Sequence, residues 1–135
     1  MDSLFQKINL KDENKILILN MPQNFKRIID QTLKEGVTID DERMPSTIYS
    51  FALVFITSVD EIGVTASMTV KSLVKERPTF WVAYPKVNSP QYHTDIKNET
   101  DWAVMAMIGF EIEESIDIDE DWSAYKFVRF NKVSI

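Results

Sequence analysis

The chain has 135 residues, 44% of them hydrophobic, with three tryptophans, no cysteine, one histidine and a formal net charge of −6. That length predicts one domain, 1–135, able to bury its own core, and the missing cysteines exclude a disulfide framework, a thiolate metal site and a cysteine nucleophile. The acidic balance argues against a nucleic-acid partner; with no apolar run near the ~18 residues of a span and no export signal, a cytoplasmic protein without a membrane partner is expected.

Ser3–Leu10, "SLFQKINL", reads as a short amphipathic lead-in helix. "KILILN" (Lys15–Asn20) is a continuous apolar run, the pattern of a strand covered on both faces. It turns directly into "PQNFKRIIDQTLKEG", where Phe25, Ile28, Ile29 and Leu33 recur at helical spacing between Pro22 and Gly36. Val37–Asp40 is a short second strand. Residues 41–49 are brief for a parallel crossover, so either they hold one tight helical turn or that strand is marginal.

"SFALVFITS" (Ser50–Ser58) is another doubly buried strand, and Ser58 with Glu61 forms a capping box opening a helix that is expected to run to Glu76 and stop before Pro78. "TFWVAYPK" follows as a strand. "ETDWAVMAMIGF" is a helix with Trp102, Met105 and Ile108 on one face and Gly109 as its stop. "FEIEESIDI" and "WSAYKFVRF" flank an acidic turn and alternate like an antiparallel hairpin. The order predicts an α/β fold: a Rossmann-like, mostly parallel sheet of about six strands, helices on both faces, and a C-terminal antiparallel hairpin, with "ILILN" and "LVFIT" side by side.

This order resembles a class I, SAM-dependent methyltransferase core that lacks one edge strand, the terminal hairpin matching the last two strands of that fold. More narrowly, "ILILNMPQNF", "FWVAYPK", "TDI" at 94–96 and "IDIDEDWSAYKFVRF" resemble a bacterial family of short methyltransferase-like proteins built on a domain of unknown function. The chain departs from methyltransferases in its first turn, where "NMPQN" replaces the E/D-x-G-x-G-x-G pattern. It departs from the short family in "VNSPQYH" after Lys86, where a more basic stretch is expected. The resemblance transfers no catalytic residue.

Ligands of open α/β sheets bind beyond the carboxyl ends of the strands. The residues expected at that edge are Asn20 and Met21 after the first strand, Thr57 and Ser58 after the third, and Tyr84, Pro85 and Lys86 after the fourth. The hairpin turn, with Asp119, Glu120, Asp121, Trp122 and Ser123, is expected to rise beside them. A ligand cleft lined by Asn20, Lys86, Asp121 and Trp122 is the leading site; loop residues with capping or solvent roles are the plain alternative. Lys86 either meets an anionic ligand or pairs with Asp95 or Asp121.

Other motifs carry less chemistry. "DDE" at 40–42 sits at a ribose-binding distance from Asn20, but without the glycine loop it reads as a solvated turn. "DIDED" at 117–121 has calcium-loop spacing without the required glycine and glutamate, so no metal site is assigned. His93 stands alone, with no G-x-S-x-G elbow to complete a triad. No catalytic residue is assigned and no cofactor is expected, because Pro22 removes an amide donor and Met21 takes up volume where glycines normally let backbone approach SAM. The expectation is a non-catalytic module binding an unknown small ligand or protein. The alternative is a divergent small enzyme, a SAM-dependent methyltransferase or another small-molecule catalyst, acting at the same edge.

Overall fold

A computed structural model describes residues 15–23, 25, 38–74 and 78–130. Six strands form one sheet: β1 (Lys15–Leu19), β2 (Thr38–Asp40), β3 (Phe51–Phe55), β4 (Thr79–Pro85), β5 (Phe110–Asp117) and β6 (Trp122–Arg129). Their order is β2-β1-β3-β4-β6-β5. β2, β1, β3 and β4 are parallel, and β6 is antiparallel to both neighbours. The class is α/β, mostly parallel and Rossmann-like, with a C-terminal hairpin. The predicted neighbours β1 and β3 pair in register, Ile18 opposite Leu53. The reversal of strand order falls between them.

The strands form because both faces of the sheet are covered. All five residues of β3 are buried, which explains its unbroken apolar run. Strand parity splits the core in two. One face carries Ile16, Ile18, Phe51, Leu53, Phe55, Trp81 and Trp122, with Phe25 packed on them. The other carries Leu17, Ala52, Val54, Phe80, Val82 and Phe127, under Ile62, Leu73, Trp102 and Met105. The lead-in helix expected at 3–10 and most of the helix expected after β1 lie outside the described residues.

The helix after β3 is capped as the sequence predicts, Ser58 Oγ accepting from the Glu61 N–H at 3.3 Å. It comprises α1 (Val59–Glu61), a π-helical stretch Ile62–Ala66, and α2 (Ser67–Val70). It ends at Val70, short of the expected Glu76. The N–H groups of Lys71, Ser72 and Leu73 bond three residues back, and Leu73 then leaves to form a parallel bridge with Tyr49. Long-range pairing therefore overrides helical continuation.

The same bridge explains the short connection after β2. No helical turn forms in 41–49, and β2 is only three residues long. The Tyr49 hydroxyl instead reaches back and donates to Asp40 Oδ2 at 2.5 Å. Burial, together with this carboxylate, raises the tyrosine pKa. Asp40, read from the sequence as part of a solvated turn, has this structural partner.

The helix predicted at 99–110 begins as a 3₁₀ turn, Glu99–Trp102, and continues as α3 (Ala103–Met107). Trp102 and Met105 are buried and Ile108 is half-buried, as the spacing predicts. Gly109 follows with φ +92°, the left-handed backbone that makes glycine the natural stop.

Candidate functional site

The carboxyl ends of β1, β3 and β4 face the start of β6. Pro85 lies opposite Trp122, and the Lys86 N–H donates to the Asp121 carbonyl at 2.8 Å. The hairpin turn therefore rises on this edge. The segment 86–98 crosses it and is fixed at several points. Ser89 Oγ donates to Asp121 Oδ1 at 2.7 Å, and the Val59 N–H donates to Asp95 Oδ1 at 2.8 Å. The Tyr92 and Trp122 rings lie 4.9 Å apart.

At the switch point between β1 and β3, side chains occupy the positions next to the backbone. Asn20 adopts φ +59°, a conformation that asparagine tolerates better than most residues. From there its Nδ2 donates to the Phe55 carbonyl at 3.3 Å, tying the ends of the two strands together. Met21 is half-buried and packs on the first-face core, where Phe55 contacts both Phe25 and Trp122. At the start of the helix after β3, the amides of Thr57, Val59 and Glu61 are also engaged. Glu61 Oε1 accepts from the Thr57 N–H at 2.8 Å, Asp95 from Val59, and Ser58 from Glu61. A nucleotide or SAM at this point needs free amides and close backbone approach. Among the described residues, Asn20 and Met21 occupy that place.

Of the expected edge residues, the sheet gathers some and separates others. Trp122 is buried on the first face, edge-to-face with Phe55 at 5.1 Å. Tyr84, Lys86 and Ser123 line a cavity of about 280 Å³ on the second face, together with Trp102 and Tyr125. The reason is pleat parity: Trp122 is opposite Pro85 and shares its side, whereas Lys86 follows Pro85 and projects the other way. Asn20 and Met21 stay at the switch point, and Asp121 is buried against Ser89.

Lys86 pairs with neither Asp95 nor Asp121. Its Nζ lies 3.5 Å from Asp117 Oδ1, a largely exposed carboxylate that also accepts from Ser123 Oγ at 3.2 Å. Asp95 and Asp121 are occupied by Val59 and Ser89 as above. Sequence reasoning missed Ser89, Tyr92, Ile96, Lys97 and Tyr125. Tyr125 alone had a usable signal, since alternation in "WSAYKF" puts it on the Ser123 side.

The cavity wall is aromatic. Tyr84 stacks on Tyr125 with centroids 5.1 Å apart, and Trp102 meets both edge-on, at 5.2 and 5.3 Å. Burial, the hydrogen bond to Tyr125 and the nearby carboxylates hold the Tyr84 pKa well above the ordinary tyrosine value. Tyr84 is a neutral phenol throughout the physiological range. Beside the wall, Asp101 Oδ2 accepts from the N–H groups of Lys97 and Asn98 at 2.8 and 3.0 Å, shaping the rim. These two bonds lower the Asp101 pKa.

The strand order, with its single antiparallel strand next to the last position, decides the fold comparison. The core is methyltransferase-like. The chain is similar to a SAM-dependent methyltransferase from Aquifex aeolicus, at 8% identity and TM-score 0.62, covering 94% of this chain and 88% of that one. It is similar to magnesium protoporphyrin IX methyltransferase from Synechocystis PCC 6803, at 11% identity and TM-score 0.56, covering 85% and 74%. A protein of the NADB-Rossmann superfamily from Streptococcus agalactiae matches at 8% identity and TM-score 0.56, covering 100% and 71%. No family model matches the chain, and no curated protein matches it. At these identities the likeness is one of fold. Among the described residues, the methyltransferase-like core has no group of three or more metal-ligating side chains and no helix long and apolar enough to cross a membrane.

Proposed function

We propose that the protein is a non-catalytic binding module on a methyltransferase-like scaffold, taking a small ligand or a protein at the carboxyl edge of its sheet. The observation that carries this reading is the closed switch point. The bond from Asn20 to the Phe55 carbonyl and the packing of Met21 take up the place where backbone approaches a cofactor in folds of this kind. The own-chain acceptors on Thr57, Val59 and Glu61 support it, because a phosphate or carboxylate ligand would have to displace Glu61, Asp95 or Ser58. The narrower likeness to short bacterial methyltransferase-like proteins, which rests on four stretches of sequence, fits the same reading.

A divergent methyltransferase is the second reading, favoured by the neighbours' fold. One of those neighbours was solved with bound SAH. The two separate in a thermal-shift titration with SAM and SAH. The expected result is no movement of the melting temperature up to millimolar ligand. Saturable stabilisation at micromolar SAM sinks the binding-module reading, since ligand binding to the native state alone raises stability by a few kcal/mol at about 100 Kd.

A further inference from the structure

We infer that the second-face cavity is a site for a small aromatic carboxylate, its ring against Tyr84, Tyr125 and Trp102 and its anionic end on Lys86. The inference rests on the binding-module reading and names the ligand class for that edge.

Three features select this chemistry. The cavity, about 280 Å³, is near the lower bound of about 300 Å³ for small-molecule sites, so the ligand is compact. Its wall is a cluster of three rings held rigid by one another, and aromatic pairs favour offset or edge-on contact with a further flat ring. Two lysines, Lys86 and Lys97, line it, with Glu99 on the lining and Asp117 beside Lys86 as the carboxylates. The two ammonium groups, on one side of the ring cluster, are the groups that meet an anionic end.

Lys86 is placed and available. Its backbone is fixed by the bond to the Asp121 carbonyl. Its ammonium has a partner, Asp117, whose side chain is 79% exposed, and an ion pair in that setting contributes at most about 1 kcal/mol. A carboxylate seated against the aromatic wall competes with it. Ser123 Oγ and the neutral Tyr84 hydroxyl line the same cavity as polar groups that orient the ligand.

The three tryptophans give a built-in test of location. Trp102 lies at the cavity, whereas Trp81 and Trp122 lie on the opposite face. Titration of the full chain with 1-naphthoate, followed by NMR of the indole N–H resonances and assigned with Trp102→Phe, is expected to shift Trp102 saturably and leave Trp81 in place. The neutral isostere 1-naphthamide is expected to bind far more weakly. Lys86→Ala is expected to weaken naphthoate binding about tenfold or more, as loss of a charge-assisted hydrogen bond predicts. Unchanged thermal melting verifies that this variant folds, and the exposed Lys97→Ala provides a second, smaller loss. No saturable Trp102 shift, equal binding of the amide, or wild-type affinity in both lysine variants overturns the assignment. SAM stabilisation is measured separately, so failure of the binding-module reading is distinguishable from failure of this one.

Discussion

Tyr84 shows how one half-buried hydroxyl ties the site to stability. Its folded pKa lies above the ordinary value because burial and the hydrogen bond to Tyr125 penalise the phenolate. Between the unfolded value, about 10, and the higher folded value, the native state holds a proton that the unfolded chain has released. Stability is therefore fully present below about pH 10 and falls as pH rises beyond it. Tyr84→Phe is expected to flatten that alkaline fall in denaturant midpoints measured from pH 8 to 11, while Tyr49, also raised, leaves a residual slope. At this scale the sequence was partly legible. "YPK" marked Tyr84 and Lys86 as edge residues, but whether Lys86 and Trp122 share a face depends on which residue lies opposite Pro85. Cross-strand register is long-range information that a local pattern does not contain.

Among the elements, the turn at Gly109 separates backbone strain from packing. Its φ is +92°, and a Cβ built there meets no atom within 4 Å. Gly109→Ala is expected to lower unfolding free energy by about 1–2 kcal/mol through backbone conformation alone, read as a reduced urea midpoint with an unchanged m value. Glycine after a helical apolar stripe was a readable stop, as were the Ser58 cap and the doubly buried run of β3. The end of the preceding helix was not. Residues 71–76 carry no glycine or proline, and the helix stops at Val70 because Leu73 pairs with Tyr49. That partner lies 24 residues upstream, and periodicity cannot register it. The second strand was legible only as weak, which its three residues justify.

For the molecule as a whole, the α/β class, the pairing of β1 with β3 and the terminal hairpin followed from the alternation of apolar runs and amphipathic stripes, whereas the division of the carboxyl edge between two faces did not. The fold carries its crevice at the switch point by topology, yet the side chains of Asn20 and Met21 and the acceptors of Glu61 and Asp95 fill its polar and apolar requirements from within the chain. The contact of Asp95 with Val59 spans 36 residues, joining the segment after β4 to the helix after β3. The Val59 amide sits near the surface, in a first helical turn that ordinarily exchanges its hydrogens quickly. Its protection therefore depends on a residue in a distant loop. In hydrogen–deuterium exchange, Asp95→Ala is expected to speed exchange at Val59 about tenfold or more, with little change at Leu53 in the central strand. Native-state exchange at that one amide thus times the release of Asp95 from the start of the helix, a local clock for one attachment of the 86–98 crossing.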